Sequence, residues 1–293
     1  AGAAYLSKSG ISGKGSLEFF NKLRNQEYRL AIYAKDSYDR THPLSQERVQ
    51  ALEQVYKKDP AWARTSDQAL EARFQRVKAK LQGFVDPQVA TRKYPETDQS
   101  VPAHYARAYA YHLGAFPEKA LSEADALLKT APDDPFFLEL KGQILLESGR
   151  PKEAIPILRE AVKQAPDQPM IAVMLGHALI ASEDPRYTAE AKQVLKTAVN
   201  RDNDNPFAWL QLGMVYEREG DIARAALATA ERNNLQGNAK IALASARTAM
   251  KGIPAGTPDY LRAQDIAMVS ETELKKDKKG GIKVEPREPG QPK

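Results

Sequence analysis

The side chains best suited to metal or proton chemistry in this sequence are its four histidines, His42, His104, His112 and His177. A hydrolytic zinc site commonly uses two histidines four residues apart on one helix, with a glutamate between them as general base. None of the four histidines is followed by that pattern. His104 and His112 lie roughly 12 Å apart along a helix, too far to bind one ion together. We therefore predict no complete metal site, and ordinary surface or groove positions for His104, His112 and His177.

The composition favours an all-α protein. Hydrophobic residues make up 42% of the 293 residues, which is enough for a sizeable core, and helix formers dominate over β-branched runs. No stretch approaches the roughly 20 apolar residues that a membrane span requires. The chain shows no basic N-terminal segment followed by an apolar stretch, so we expect no signal peptide in it. The absence of cysteine excludes disulfides and thiolate metal sites.

The formal net charge of +5 is concentrated at one end of the sequence. Residues 275–293 contain seven Lys or Arg against three Asp or Glu, so the rest of the chain is nearly neutral. The segment is also rich in Pro and Gly, which predicts a flexible, solvated basic tail over residues 269–293. We therefore expect no nucleic-acid binding, and contact of the tail with a membrane or an acidic partner is the weaker alternative.

A repeat of 34 residues organises the second part of the chain. Ala120 and Ala154 are 34 residues apart, and each is followed after 12 residues by a proline, Pro132 or Pro166. This period is typical of tetratricopeptide (TPR) repeats, in which each unit is a pair of antiparallel helices and stacking buries their apolar faces. We therefore predict a TPR-type helical hairpin solenoid over residues 101–268.

Two departures from the period are visible in the array. In the third unit, three extra residues around residues 183–186 lengthen the turn between the helices, and the small residue comes at Ala191. Near the end of the array, Gly237 follows Gly220 by only 17 residues, which is half a unit. The helix between these two glycines is therefore predicted to serve two half-units.

The first 100 residues do not share this period. Apolar residues at helical spacing predict helices over residues 1–8, 14–36 and 45–58. A further helix is predicted to begin at a cap on Ser66 and to end at Gly83.

The candidate binding groove follows from the register of the repeats. In a TPR pair, the second, fifth, ninth and twelfth positions of the first helix usually face the concave side of the array. None of these positions is Lys, Arg or Asn, which argues against recognition of a peptide's C-terminal carboxylate. Their aromatic and Met-rich composition predicts an apolar segment, or a missing domain of the same polypeptide, as the occupant. The positions are Tyr105, Tyr109 and His112; Phe136, Glu139, Gln143 and Leu146; Met170, Val173, His177 and Ile180; and Phe207, Leu210, Met214 and Glu217.

A second pattern links the start of the chain to a known family. It consists of residues 2–6 (Gly-Ala-Ala-Tyr-Leu), Gly10, residues 19–20 (Phe-Phe) and above all residues 41–48 (Thr-His-Pro-Leu-Ser-Gln-Glu-Arg), with residues 78–81 and 262–266 in support. These segments resemble the gluzincin zinc metallopeptidases of the HtpX and BepA type, whose periplasmic members carry a TPR array after the catalytic domain. Family enzymes bind zinc through a His-Glu-x-x-His helix and a later glutamate. By alignment, Ala1 falls just after that glutamate, so the chain is expected to be the part downstream of the metal site.

The resemblance implies roles for two residues near the missing site. His42 matches a family histidine on a loop that reaches the zinc, so it would be a fourth, autoinhibitory ligand in the intact enzyme. Arg48 matches an arginine that positions substrate or stabilises charge near the zinc. From the residues alone, His42 is a loop histidine before Pro43, and Arg48 is a partner in a structural salt bridge.

The resemblance therefore implies a function within a larger enzyme. The chain would be the substrate- and partner-binding C-terminal half of a zinc-dependent metalloendopeptidase of the bacterial periplasm, acting in envelope protein quality control. Its partners would be its own missing catalytic domain and unfolded or unassembled envelope proteins. Zinc would belong to the intact enzyme, and this chain alone is expected to bind none and to cleave nothing.

A stand-alone TPR adaptor, whose N-terminal helices cap the array, is the alternative from a different class. A helical transglycosylase-like enzyme is disfavoured because no isolated catalytic glutamate stands out. The predicted organisation is a remnant of a metallopeptidase domain (1–63), a helical connector (64–100), the TPR array (101–268) and the basic tail (269–293).

Overall fold

The computed structural model describes residues 2–33, 46–65 and 67–280. Every regular element in these residues is helical, which confirms the predicted all-α class. The chain divides into two compact units, Ala1–Lys78 and Ala79–Lys293, and the division falls inside one helix. The domain boundaries predicted at residues 63 and 100 stay predictions.

Fifteen α-helices and two short 3-10 helices occur in the described ranges. The 3-10 helices span Pro60–Ala63 and Pro185–Tyr187. The α-helices are α1 (Gly2–Lys8), α2 (Lys14–Tyr33), α3 (Gln46–Lys57), α4 (Gln68–Val85), α5 (Pro87–Lys93), α6 (Val101–Leu113), α7 (Pro117–Thr130), α8 (Pro135–Glu147), α9 (Pro151–Gln164), α10 (Pro169–Ala181), α11 (Thr188–Arg201), α12 (Pro206–Arg218), α13 (Ile222–Leu235), α14 (Ala239–Gly252) and α15 (Pro258–Gly280).

The first unit holds a small apolar core between α1, α2 and α3. Leu17, Val49 and Tyr56 are buried there, and Phe20 is among the partly buried side chains packed against them. The Ser16 hydroxyl lies 3.0 Å from the Tyr56 hydroxyl and ties α2 to α3. Leu17 is thus buried, and Phe20 partly buried, within the unit itself.

The start of α4 differs from the prediction by one residue. The Asp67 carboxylate accepts the backbone N–H groups of Ala69 at 2.8 Å and Leu70 at 3.2 Å, so Asp67 caps the helix. The predicted cap, Ser66, lies outside the described residues.

Gly83 does not end α4, which continues to Val85. A Cβ atom on Gly83 would lie 2.3 Å from the carbonyl oxygen of Ala106 and 3.0 Å from Cβ of Tyr109. The absence of a side chain therefore lets the last turns of α4 approach α6 closely. Gly83 therefore marks a close contact between α4 and α6, and the prediction that it ends the helix is wrong.

Four helix pairs form the repeat array, namely α6–α7, α8–α9, α10–α11 and α12–α13. We call the first helix of each pair the A helix and the second the B helix. Each A helix packs on its own B helix, and the A helices α8, α10 and α12 also contact one another in that order. This stacking confirms the predicted TPR-type solenoid.

Three of the A helices begin with a proline at the same position. Pro135, Pro169 and Pro206 occupy the first helical position of α8, α10 and α12, where a missing N–H has no intrahelical partner to lose. The side-chain oxygens of Asp134 and Asn205 accept the next two backbone N–H groups of α8 and α12. The sequence therefore fixes where the helices that build the candidate groove begin.

Each turn between paired helices contains one residue in the left-handed region. The φ angles are +77° at Gly149 and +75° at Gly220, a region that glycine enters without steric cost, and Gly237 in the next turn, between α13 and α14, is at +72°. The corresponding residues of the first and third units are Ala115 at +59° and Glu183 at +57°. These two positions carry backbone strain that the glycine positions do not.

Small residues keep the paired helices close. A Cβ atom on Gly176 of α10 would lie 2.5 Å from the Leu195 side chain of α11, and Gly142 is in the same situation one unit earlier. A Cβ atom on Gly213 of α12 would lie 3.4 Å from Cβ of Ala228, an ordinary contact. Among these three positions, glycine is therefore required at the two where a leucine lies opposite.

Both predicted departures from the period are present. The extra residues of the third unit form the short helix Pro185–Tyr187 before α11. Helix α13 contributes to two cores, since Ala225 and Ala228 belong to the core shared with α12, whereas Leu227 and Ala230 belong to the core shared with α14 and α15. It thus serves two half-units, as the 17-residue spacing predicts.

Helix α15 corrects the prediction for the tail. The array was expected to end at residue 268, but α15 continues to Gly280, and Ser270 is fully buried. Residues 269–280 are therefore helical rather than part of a flexible tail, and residues 281–293 lie outside the described residues. Within the described part of the chain, no helix is long and apolar enough to cross a membrane.

Candidate functional site

The register positions predicted to line the groove form a surface that we call the A-helix face. It comprises the second, fifth, ninth and twelfth positions of α6, α8, α10 and α12. Four large apolar side chains on it are exposed: Phe136 by 40%, Met170 by 56%, Phe207 by 41% and Met214 by 37%. Phe136, Met170 and Phe207 occupy the same position in three successive A helices, so they form a row across the array.

Neighbouring A helices connect along this row. The His177 and Phe207 rings meet edge to face, with centroids 5.3 Å apart. The Asn205 side-chain amide lies 3.1 Å from Sδ of Met170. These contacts join α10 to α12, so the exposed side chains belong to one continuous surface.

Several predicted groove residues are buried beneath that surface. Tyr105, Tyr109 and Val173 are at most 3% exposed, and Leu146 and Ile180 are also buried. Their prediction as open groove residues is therefore corrected, because side chains of neighbouring helices enclose them.

The two buried tyrosines sit among aromatic neighbours. Tyr105 packs edge to face on Phe137 of α8 at 5.6 Å, and Phe84 of α4 packs on Tyr109 at 6.4 Å. Burial raises the pKa of Tyr109, since its phenolate form would be poorly solvated there. The tyrosines thus form the floor under the first part of the face.

A polar cluster lies at the ends of α6 and α8. Nε2 of His112 is 2.7 Å from one Glu147 carboxylate oxygen, and the Gln143 amide donates to the other at 2.9 Å. The hydrogen bond from His112 holds the pKa of Glu147 below its ordinary value, although burial opposes it. Burial lowers the pKa of His177, and the nearby Glu147 charge acts in the opposite direction. The carboxylate of Glu147 is therefore satisfied within the protein.

Glu139 is in a different situation on the same helix. Burial raises the pKa of its carboxyl group, and Lys80 of α4 opposes that shift through its charge. Lys80 is placed over the Tyr109 ring at 5.4 Å from the centroid. Among the described residues, Glu139 makes no hydrogen bond and no ion pair. The side chain of Glu139 is half-buried.

The remaining register positions lie further along α12. Leu210 is half-buried and Glu217 is exposed near the end of the helix. The face therefore combines an exposed apolar row with the carboxylates of Glu139 and Glu217, and Glu147 lies beside it. Among the described residues, Glu147 alone of these three accepts hydrogen bonds from neighbouring side chains.

The two residues carried over from the metallopeptidase resemblance are not tested by the structure. His42 lies outside the described residues, and so does the side chain of Arg48, whose backbone is in the first turn of α3. In the described ranges, no group of three or more His, Asp or Glu side chains could hold a metal ion.

His104 is neither a surface nor a groove histidine, and this prediction is wrong. It is 7% exposed, and its Nδ1 atom lies 2.5 Å from Oε2 of Glu123 on α7. Arg107, 1% exposed, donates to both oxygens of Glu123 at 2.8 and 2.9 Å. It also donates to the carbonyl groups of Pro95 and Asp98, each at 2.8 Å.

This buried network anchors the segment between α5 and α6 to the first helix pair. Sequence reasoning missed Arg107 and Glu123. The period offers no signal for them, because their partners include backbone carbonyls of a non-repetitive loop.

Comparison with known proteins agrees with the repeat pattern. Residues 106–169, from α6 to the start of α10, match the family described as tetratricopeptide repeat, TPR_16. Among proteins with curated descriptions, none matches the chain.

Solved structures with similar folds cover somewhat more than half of the chain. MamA from Desulfovibrio magneticus RS-1 is 22% identical, with 57% of this chain and 96% of that one covered and a TM-score of 0.48. YrrB, described as a TPR protein with an unusual peptide-binding site, is 17% identical over 61% of this chain and 96% of its own, with a TM-score of 0.46. The thermophilic TPR protein TTC0263 of Thermus thermophilus is 22% identical, covering 55% and 95% of the two chains, with a TM-score of 0.35.

The repeat period, the stacked helix pairs and the family match therefore agree with one another. Residues 106–169 match the tetratricopeptide repeat family, and the fold of the described residues is all-α, with a solenoid of the TPR type.

Proposed function

We propose that the chain is a protein–protein interaction module that binds a peptide segment of a partner on its A-helix face. One observation carries the proposal: Phe136, Met170 and Phe207 are large apolar side chains, exposed by 40–56%, in the same register on three adjacent helices. Contiguous exposed apolar surface on a folded protein commonly marks an interaction site. Helical solenoids of this kind use the surface lined by their first helices to hold ligands.

The exposed row limits the strength of binding that apolar contact alone can give. Covering the exposed part of one Phe or Met contributes on the order of 1 kcal/mol. The whole row therefore contributes only about 3–4 kcal/mol, against several kcal/mol lost in ordering the two partners. Useful affinity therefore requires polar contacts as well. The flexible thioethers of Met170 and Met214 suit a ligand whose apolar side chains vary in shape.

The adaptor interpretation is better supported than the metallopeptidase interpretation. The family match concerns the TPR repeats, and it supports a binding module rather than a peptidase. A place in a periplasmic zinc peptidase, with envelope proteins or a missing catalytic domain as partners, stays a prediction from the sequence resemblance. Its test is zinc-dependent cleavage by a longer native form of the polypeptide, with His42 and Arg48 as the residues to replace.

The proposal for the groove is tested by selecting ligands and then removing the row. Peptides are selected on the immobilised full chain from a random display library, and their affinities are measured by fluorescence anisotropy. The groove variant carries Phe136→Ser, Met170→Ser and Phe207→Ser. The control variant carries three equally drastic changes at exposed apolar positions of other helices, Ile222→Ser, Ile241→Ser and Met268→Ser.

We expect the groove variant to lose affinity by at least tenfold and the control variant to keep it within about twofold. Circular dichroism checks that both variants stay folded. Equal losses in the two variants, or selected peptides that bind the groove variant unchanged, would place the binding surface elsewhere.

A further inference from the structure

The first part of the A-helix face carries few charged side chains, and these differ in their hydrogen-bond partners. On α6, α8 and α10, the carboxylates at or beside the register positions are Glu139 and Glu147. Glu147 is held by His112 and Gln143 at 2.7 and 2.9 Å. Glu139 has no hydrogen-bond or ion-pair partner among the residues that the structure describes. Of these two glutamates, which lie eight residues apart on α8, one therefore has hydrogen-bond partners among the described residues and the other has none.

The position of Glu139 relates it to the exposed apolar row. It lies three residues after Phe136 and four before Gln143, so the three side chains share one face of α8. A ligand that covers Phe136 therefore passes over the Glu139 carboxylate. That carboxylate can accept up to about four hydrogen bonds, and burial removes much of the water that would otherwise supply them.

The nearby lysine does not neutralise Glu139. Lys80 influences the carboxylate through its charge, but its ammonium group is placed over the ring of Tyr109 and makes no ion pair with Glu139 within 4.0 Å. Within the part of the chain that the structure describes, Glu139 therefore has neither a cation in contact nor a hydrogen-bond donor. A ligand group that provides both would relieve the desolvation of the carboxylate.

We propose that the peptide bound on the A-helix face places a Lys or Arg side chain on Glu139, with apolar side chains beside it on Phe136 and Met170. The inference rests on the proposed function and names the chemistry of its ligand. The ligand is an apolar segment interrupted by one cationic residue. Charge complementarity selects this ligand, because an acidic segment would leave two like charges facing each other in a partly desolvated site.

The test compares the ligand preferences of two matched charge variants. Random-peptide display is carried out on the wild-type chain, on Glu139→Gln and on Glu217→Gln. The second variant removes an identical charge from the A-helix face of α12 and is the control for long-range attraction. Peptides enriched by the wild type are expected to carry Lys or Arg at one fixed position next to apolar residues. Glu139→Gln loses this enrichment and Glu217→Gln retains it.

A double-mutant cycle then isolates the contact. The cationic residue of an enriched peptide is replaced by Gln, and both peptides are titrated against the wild type and Glu139→Gln. On the wild type, the change in the peptide weakens binding about tenfold, the size expected for a hydrogen bond between charged groups. On Glu139→Gln, the two peptides bind within about twofold of each other.

Each other outcome overturns the inference in a recognisable way. Enriched peptides without a fixed cation, which still depend on the apolar row, would overturn the cation site and leave the proposed function standing. An equal loss of both peptides on Glu139→Gln would assign Glu139 a structural role instead. No enriched peptide at all would remove the proposed function together with the inference.

Discussion

Arg107 gives the sharpest test of the packing argument, because its guanidinium is almost completely enclosed. The side chain is 1% exposed and donates to Glu123 twice and to the carbonyl groups of Pro95 and Asp98. Replacement by Met keeps much of the apolar stem but removes every donor. The Glu123 carboxylate and the loop carbonyls then lose their main partner in a partly water-excluded place.

The cost follows from the number and kind of these bonds. Removing one partner of a buried charge pair typically destabilises a protein by about 3–5 kcal/mol. The packing of Met recovers on the order of 1 kcal/mol of apolar burial, so we expect Arg107→Met to lower the free energy of unfolding by about 2–4 kcal/mol. At about 2–4 °C per kcal/mol, the melting temperature of an array of this size falls by roughly 4–16 °C.

The assay must separate this loss from unfolding elsewhere, because repeat arrays can unfold in steps. Amide hydrogen exchange reports the stability of α6 and α7 directly, and urea titration by circular dichroism gives the overall change. The double variant Arg107→Met/Glu123→Met leaves no unpaired carboxylate, so it should be less destabilised than the sum of the single variants by about 2 kcal/mol. A change below about 1 kcal/mol for Arg107→Met, or additive single variants, would refute the reasoning.

The other predictions concern single positions. Ala115→Gly removes left-handed strain and should stabilise the chain by about 0.5–1 kcal/mol in urea titrations, whereas Gly149→Ala introduces that strain and should destabilise it by about 1 kcal/mol. Gly213→Ala should be neutral or stabilising, whereas Gly176→Ala forces a Cβ atom onto a leucine and should cost about 1–3 kcal/mol, which melting curves of the two variants distinguish. Burial raises the pKa of Glu139 above its ordinary value, so its presence costs stability as pH rises through the folded-state pKa. Glu139→Gln should therefore raise the urea midpoint at neutral pH, and the gain should vanish near pH ~4. An equal gain at both pH values would contradict a raised pKa of Glu139 in the folded state.

The repeat could be predicted from the sequence because each of its features is local and recurs. Pro135 marks a helix start and Ala154 marks a close approach, and each has the same residue 34 residues away, at Pro169 and Ala120. Gly149 marks a turn whose left-handed φ recurs at the same interval at Ala115 and Glu183, although without glycine. Even the shared helix α13 follows from a halved interval between Gly220 and Gly237. Recurrence turns weak single-residue preferences into a specific fold.

Features that depend on one long-range contact were not predictable in this way. Gly83 looks like the end of a helix in the sequence, and only the Ala106 carbonyl oxygen, which a Cβ atom would approach to 2.3 Å, explains it as a packing residue. Tyr109 has a groove-facing register, but Phe84 of α4 lies against its ring. Register gives the direction of a side chain on its helix, whereas burial depends on which other element arrives there.

The candidate site combines these two kinds of information. Register predicts Phe136 and Met170 on one row, and both are exposed in the structure. It could not distinguish Glu139 from Glu147, because the difference between them is a neighbour on another helix, His112. Glu147 stabilises the fold through its hydrogen bonds, whereas Glu139 destabilises it through desolvation of its carboxylate.

Replacing each of the two glutamates of α8 is therefore expected to change stability in opposite directions. Glu147→Gln should lower stability at neutral pH, because it removes a charge-assisted hydrogen bond with His112, whereas Glu139→Gln should raise it. A residue that weakens the free protein and improves binding of a cationic ligand is what a stability–function trade-off requires. If both substitutions lowered stability, Glu139 would have an internal partner, and the reason for placing a ligand's cation beside it would disappear.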